Sequence, residues 1–362
     1  MKLAILGNTP ELSALELGVE WEGGQIAVLK HEVDFNILGG TVKIAEVIDR
    51  PLDDVLEILK TIAPDHKIVF GFSVYTGDNS ITAAKVKEHA KALFDYGMRW
   101  KKQLKAAGRS VRFVVSQEPA LSSVIVQKEH LLRDHTDFVI ALYHDKTIIA
   151  RTSTVQDFKD FSQRDFGRPQ RDAFSGMLPP KVARMMVNIA AADKHALSLL
   201  DPFCGSGTVI QEALSMGFTD VIGSDISQKC IDDTETNLAW ENLPIPPLFC
   251  SDVLQLQHQL PDHSIDIIVT EGYLGPVQPK RTDAIYNELT SFYEAVFPVL
   301  ARLLKPHGRI VIALPSWNLD NGLLELPLDT IIAQAGFKSF HQPINYSRQI
   351  AKVVRKIFFL YN

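Results

Sequence analysis

The chain has 362 residues, long for one domain and in keeping with two or three. Hydrophobic residues make up 46% and charged residues 22%, an ordinary globular balance that excludes wholesale disorder and a coiled coil. With 37 basic and 43 acidic side chains the net charge is −6, so a uniformly basic nucleic-acid coat is excluded while a local basic patch is not. Cys204, Cys230 and Cys250 have no zinc-like spacing and are odd in number, which argues against a disulfide framework and for a cytoplasmic setting. No apolar run reaches the roughly 18 residues needed to span a bilayer, so no membrane contact is expected.

In chain order, Leu3 to Leu6 reads as a first strand and not as a signal peptide. Thr9-Pro10-Glu11 then supplies an N-cap, a proline at N1 and an early acid, so a helix follows. Val55 to Ile62 reads as helix, Ile68 to Tyr75 as strand, Ser80 to Ala107 as a long helix and Val111 to Val115 as strand. Ser122 to Leu132 is helical, and Phe138 to Tyr143 with Thr147 to Ala150 suggests a hairpin about His144-Asp145-Lys146. From about 152 to 180 leucine and isoleucine nearly vanish, which reads as a connector. Lys181 to Ala192 resumes a helix. Strands then alternate with helices: Leu197 to Leu200, Val221 to Ser224, Leu248 to Cys250, Ile265 to Thr270 and Arg309 to Leu314 are strands, with helices at Thr208 to Met216, Ser227 to Asn242 and Tyr286 to Leu304. A helix at Asp329 to Gln334 and two strands, Phe337 to Tyr346 and Val353 to Leu360, close the chain. This alternation implies an α/β fold with a doubly wound, mostly parallel sheet and a ligand site at the strand carboxyl ends.

Leu199-Leu200-Asp201-Pro202-Phe203-Cys204-Gly205-Ser206-Gly207-Thr208 follows a strand and opens a helix. Gly205 and Gly207 let backbone approach a ligand, and the helix start at Thr208 offers free N–H groups. No lysine follows Gly207, so this is not a phosphate-binding GxxxxGK[ST], and the third glycine of a dinucleotide fingerprint is missing. Acids end three successive strands at Asp201, Asp225 and Asp252. Asp225 has the position of a ribose acceptor. The set fits an adenosine ligand with a neutral-to-cationic tail, of which S-adenosylmethionine is one. Cys204 reads as a small packing residue, because amine methylation needs no thiol nucleophile.

The fourth strand ends in Thr270-Glu271-Gly272-Tyr273-Leu274-Gly275-Pro276. Many amino-methyltransferases carry an acid or amide, prolines and an aromatic at this place. An exocyclic amine is a poor nucleophile because its lone pair is delocalised into the ring. A side-chain oxygen and a main-chain carbonyl that accept its two N–H bonds aim the nitrogen at the methyl donor, and an aromatic ring stacks on the base. Glu271 suits the acceptor, Gly272 the carbonyl and Tyr273 the ring; a plain strand end followed by a turn is the other reading of these residues.

Gln156-Asp157-Phe158, Arg164 to Pro169, and Arg171 to Lys181 resemble the connector of THUMP-containing tRNA guanine-N2 methyltransferases. Asp201 to Thr208 resembles their cofactor motif, Ile5 to Ser13 their N-terminal start, and Leu121 to Val126 a segment of their THUMP domain. The chain is most similar to the archaeal and eukaryotic enzymes that act at guanosine 10 of tRNA. The resemblance covers essentially the whole chain. It implies a ferredoxin-like part at 1–50, a THUMP-like RNA-binding domain at 51–151, a linker at 152–180 and a class I Rossmann-like methyltransferase domain at 181–362. It places Phe174, Ser175 and Met177 at the methionine end of S-adenosylmethionine. Gly205 and Gly207 would line its middle, Asp225 would hold the ribose, and Asp252 with Val253 would meet the adenine; Asp201, Phe203, Thr208 and Ile226 complete the expected cofactor-binding set. It also implies tRNA as partner and, from the eukaryotic relatives, a small activating subunit. The family carries Asp-Pro-Pro-Tyr where this chain has Thr270-Glu271-Gly272-Tyr273, so the glutamate carries its carboxylate one methylene further out and the glycine loses proline's fixed φ.

Arg99, Lys101, Lys102, Lys105, Arg109 and Arg112 form a basic island around Trp100, suited to phosphate binding or to a solvated helix face. Arg168, with Arg164 and Arg171, is expected either to touch RNA or to pair with Asp165 and Asp172. The histidines have no metal-ligand spacing, and no metal is expected. Trp317 reads as core or rim packing. Two rival functions stay open: the same fold acting on another base, such as rRNA guanine or adenine N6, and a catalytically inactive RNA-binding homologue.

Overall fold

The structure is a computed structural model that describes residues 1–48, 50–171, 177–192, 197–275, 282–319, 322–347 and 353–362. The chain folds into two compact units, Met1–Asp160 and Phe161–Asn362.

The first unit contains β1 (Lys2–Leu6), α1 (Pro10–Glu16), β2 (Ile26–Leu29), β3 (Thr41–Val47), α2 (Val55–Lys60), β4 (Ile68–Thr76), α3 (Ala83–Ala106), β5 (Val111–Val114), α4 (Ser123–Lys128), β6 (Asp137–Leu142) and β7 (Thr147–Val155). Among the described residues its strands form one seven-stranded sheet, ordered β2-β1-β3-β7-β6-β4-β5. The sheet is continuous across the expected division at residues 50 and 51, because β3 pairs with β7. A buried polar cluster crosses the same division. Lys43 Nζ on β3 donates to Asp137 Oδ2 on β6 at 2.7 Å, while Ser73 on β4 and Thr152 on β7 donate to the same carboxylate at 2.6 Å each. A buried charge pair stays in a core only when its remaining hydrogen-bonding capacity is met, and here four strands meet it.

The basic island divides along α3. Trp100 turns into the core against Phe70 and Phe72, leaving Arg99, Lys102 and Lys105 exposed and Lys101 half-buried. Arg99 lies over the Tyr96 ring at 4.3 Å. Arg109 departs from the expectation: its guanidinium donates to the Ile62 and Ala63 carbonyls at 2.8 Å, closing the loop after α2. Arg112 is held by Glu129 at 2.7 Å.

The second unit opens within α5 (Phe158–Ser162) and continues through a π turn, Gln163–Gly167. It contains α6 (Pro180–Ala191), β8 (Leu199–Asp201), α7 (Thr208–Ser215), β9 (Val221–Asp225), α8 (Gln228–Trp240), β10 (Leu248–Cys250), β11 (Ile265–Glu271), α9 (Thr282–Leu303), β12 (Leu304–Leu319), β13 (Gly322–Glu325), α10 (Leu328–Gln334), β14 (Lys338–Tyr346) and β15 (Val353–Tyr361). The sheet runs β10-β9-β8-β11-β12-β15-β14, with β13 paired to β12. Counted from β8 the order is 3-2-1-4-5-7-6, and the seventh strand is antiparallel to both neighbours. β8 lies at the point where strand order reverses, so the carboxyl ends of β8 and β11 splay apart and open a crevice.

The expected connector is largely part of this unit. Arg164 Nε and Arg184 Nε each donate to Glu212 at 2.6 Å, and all three side chains are buried. Arg168 is 2% exposed and donates to Thr208 Oγ1 at 2.9 Å, which corrects its reading as an RNA contact. Burial drives the Arg168 guanidinium down to about 10, partly opposed by Asp165 and Glu212. Aliphatic and aromatic neighbours hide these cations because α7 brings an acid to meet them, a partner that lies far away in sequence.

Candidate functional site

A cleft of about 490 Å3 opens at the carboxyl ends of β8, β9, β10 and β11. Pro202, Phe203 and Gly205 line one side, Asp225, Ile226, Ser251, Asp252 and Val253 the next, and Glu271 to Gly275 the third. Glu288, Leu289 and Phe292 of α9 and Val353 of β15 complete the wall. Its size and mixed lining suit a small organic ligand.

The glycine turn is shaped by its own backbone and by α8. Gly205 has φ +52 and faces open space, so a side chain there would be strained and would intrude on the cleft. Gly207 has φ +84, but a Cβ on it would come within 2.7 Å of Thr234 Cγ2. Gly207 therefore permits close packing of α8 rather than ligand approach. Thr234 Oγ1 donates to the Gly205 carbonyl at 2.9 Å and Asn237 Nδ2 to the Ser206 carbonyl at 2.9 Å, pinning the turn from behind. Thr208 is buried against Arg168 and, like Met177, is absent from the cleft lining. Phe174 and Ser175 lie outside the described residues. Cys204 is buried, and burial raises its thiol well above the ordinary value, with Asp201 and Asp225 adding to the rise. It stays a neutral packing group.

The three strand-end acids occupy different environments. Asp225 accepts from the Gly205 N–H at 3.0 Å and the Ser227 N–H at 2.9 Å, leaving acceptor capacity toward the cleft. Ile226 beside it is 73% exposed on the cleft wall. Asp252 caps the short 3-10 turn that follows it, accepting from the Leu254 N–H at 2.9 Å. Asp201 is 1% exposed and lies behind the wall rather than in it. Burial pushes its carboxyl up to about 7, and the Asp225 and Glu271 charges act in the same direction against hydrogen bonds from Thr270 Oγ1 at 2.6 Å and the Phe203 N–H.

At the end of β11, Glu271 accepts from Arg355 Nε on β15. Gly272 N–H donates to the Ala313 carbonyl at 3.0 Å, so the ladder to β12 runs one residue past the strand end. In a parallel ladder the next rung would need an N–H at residue 315, which is proline, so β12 does not engage the Gly272 carbonyl. Proline at 272 is incompatible with this arrangement, for two reasons. It would remove the N–H to Ala313, and its Cβ would meet Tyr293 Oη at 2.6 Å. Tyr293, fully buried, donates from that hydroxyl to the Tyr273 carbonyl at 2.7 Å. Burial, with Glu271 and Tyr273 adding to it, raises Tyr293 well above its ordinary value, so it remains a donor. The Tyr273 ring is 51% exposed and meets Phe292 edge-on at 6.2 Å.

Arg355 and Tyr293 had no place in the sequence reading. Arg355 did leave a signal, being with Lys356 one of two charges inside the otherwise apolar run Val353 to Leu360. Tyr293 left none. Trp317 is fully buried in the core under this loop.

Residues 168–321 match the family model described as "RMKL-like, methyltransferase domain", a span that contains the glycine turn and the end of β11. A tRNA (guanine(10)-N2)-dimethyltransferase from Methanothermobacter thermautotrophicus is 24% identical over 99% of this chain and 98% of its own length. A protein of Methanothermococcus thermolithotrophicus, named "Probable tRNA (guanine(10)-N2)-dimethyltransferase", is 32% identical over 40% of this chain and 87% of its own length. Among solved structures, TrmN from Thermus thermophilus shares the fold, with a TM-score of 0.54 at 16% identity over 100% of this chain and 99% of that one. The likeness in sequence spans both units in one relative and reaches 32% identity over most of the length of the other, and on that ground the chain belongs to the tRNA (guanine(10)-N2)-dimethyltransferase family.

Proposed function

We propose that this protein transfers methyl groups from S-adenosylmethionine to the exocyclic N2 of a guanosine in tRNA, at position 10 as in its named relatives, and up to two per base. The observation that carries the reading is a single cleft that joins the glycine turn and its acids to Glu271, Gly272 and Tyr273.

The residues present fit the cofactor. Gly205 leaves space that a Cβ would fill, Asp225 keeps acceptor sites for ribose hydroxyls, and Ile226 and Val253 give apolar surface for an adenine. When bound, the cofactor supplies an electrophilic methyl on a sulfonium. The chain's own residues do the rest. Glu271 and the Gly272 carbonyl accept the two N–H bonds of the amine and aim its lone pair. Tyr273 stacks on the extruded base, and Phe292 buttresses that ring. Held this way, the nitrogen lone pair would face the methyl that the bound cofactor would supply. The nitrogen then gives up a proton to Glu271 or to solvent. Catalysis on this account is orientation plus a carboxylate placed where positive charge develops.

The exposed cations of α3, Arg99, Lys102 and Lys105, are proposed as phosphate contacts that position tRNA. The deciding experiment is methyl transfer from labelled cofactor to unmodified tRNA, followed by nucleoside analysis. Labelled N2-methylguanosine or N2,N2-dimethylguanosine supports the reading. Label in another nucleoside moves the substrate, and cofactor binding with no label on any tRNA refutes the enzyme.

A further inference from the structure

Glu271 and Arg355 come from strands that are not neighbours, with β12 between them. Glu271 stands opposite Ala313 on β12, and Arg355 stands opposite Pro315 on the same strand. Residues 313 and 315 share a face, so both long side chains project on that face and meet over the small Ala313. Arg355 is 4% exposed between Val353, Val354 and the apolar Ile357 to Leu360, with Lys356, its neighbour on the opposite face, paired to Glu325. A charge there carries a large desolvation penalty, and an apolar pair of similar volume would commonly serve the sheet as well or better. Glu271, in contrast, reaches the cleft wall.

We infer that Arg355 is a positioning residue for the methyl transfer: it holds the Glu271 carboxylate ionised and in one rotamer at the place where the amine is bound. The inference rests on the function proposed above. Its physical basis is the extra methylene of glutamate. A longer side chain has one more torsion to fix, and a guanidinium approaching from β15 fixes it while favouring the charged form. An ionised acceptor receives an amine N–H and offsets the positive charge that grows on nitrogen, whereas a protonated one would present a donor to a donor. Arg355 need not touch the base to do this.

Among the described residues, Arg355 on β15, Asp201 on β8 and Tyr293 on α9 bear on Glu271, with Glu288 of α9 on the cleft wall; β12 contributes Ala313. Since Asp201 itself titrates near neutrality, the test is run in wild-type and D201N backgrounds.

The experiment measures kcat and KM for tRNA from pH 5 to 8 in wild type, R355Q and R355K, with cofactor affinity by calorimetry. R355Q is expected to lower kcat by about ten- to a hundredfold with KM and cofactor affinity within about threefold. Its acid limb should move upward by about one unit or more. R355K keeps the charge but loses the planar fork, so its limb should stay near that of wild type at a lower kcat. An unshifted limb in R355Q overturns the inference, because a purely structural arginine would reduce activity without moving it. If R355Q does not fold, R355K decides: a limb displaced upward overturns the inference, and a retained limb with reduced kcat supports it. If wild type methylates no guanosine, the proposed function fails. The pair is then read by carbon-13 NMR titration of Glu271 in the full chain. A higher titration point in R355Q than in wild type supports the pairing role, and equal points overturn it.

Discussion

Replacing Gly272 with alanine tests how the substrate side of the cleft is built. The new Cβ would lie 2.6 Å from Tyr293 Oη, 3.0 Å from Leu314 Cδ2 and 3.4 Å from Tyr293 Cε1. Leucine's end can turn aside. The tyrosine cannot retreat, because it is fully buried with Phe292 at 5.2 Å and Phe297 at 6.3 Å from its ring. Overpacking of this kind costs about 1–3 kcal/mol. Tyr293→Phe alone removes the hydrogen bond to the Tyr273 carbonyl, a loss of about 0.5–1.5 kcal/mol. In the double variant the alanine methyl takes the space left by the hydroxyl, so the cost of G272A should fall by about 1–2 kcal/mol relative to its cost in wild type. Urea denaturation of the four proteins, compared at equal m, measures the coupling. Costs that add to within about 0.5 kcal/mol would refute the idea that Tyr293 is what excludes a side chain at 272. The same four proteins bear on catalysis. If Tyr293 pins the loop that carries Tyr273, Y293F lowers kcat and leaves cofactor affinity unchanged.

Asp201 predicts a pH effect on stability. Its folded value of about 7 lies above the ordinary 3.8, so the folded protein keeps a proton that the unfolded chain releases. Its contribution to stability therefore falls as pH rises from 3.8 to about 7 and is flat above that. Thermal melts of D201N should be flatter than wild type across that window, and parallel curves would count against a protonated Asp201. In the first unit, Lys43→Met leaves Asp137 buried without its cation and should cost about 3–5 kcal/mol, while K43M with Asp137→Leu should recover much of the loss. Chemical denaturation distinguishes the two. Changing Arg99, Lys102 and Lys105 together to glutamine should weaken tRNA binding and lower the slope of log affinity against log salt by about 2–3. An unchanged slope would remove α3 from the RNA interface.

Legibility of the sequence followed the range of the forces involved. β8 to β12 were readable because each is an apolar run closed by a turn, and the cleft acids were readable because they end those runs. β3, Thr41–Val47, was not, since Lys43 interrupts its apolar face with a charge that only Asp137, far along the chain, makes tolerable. β2 is four residues long between polar and glycine segments, too short for alternation to register. The basic island split because composition does not say which way a helix turns: Trp100 faces inward and sets the direction of its neighbours. Arg168 reads as a surface cation until Thr208 and Gln211 are brought over it. Arg355 acts on Glu271 across 84 residues of sequence, through a strand register that no local pattern encodes.

The arginine pair on Glu212 also says where the chain can be divided. A catalytic fragment begun at residue 181 would keep Arg184 but discard Arg164, leaving Glu212 sealed in the interior with half of its cationic cover. Losing one partner of a buried pair costs on the order of 3–5 kcal/mol, a large share of what holds a domain of this size together. A fragment begun at Phe161 keeps the whole cluster. The stretch that reads as a tether is thus the opening segment of the catalytic unit, and a methyltransferase half joined to any other domain would have to carry it along.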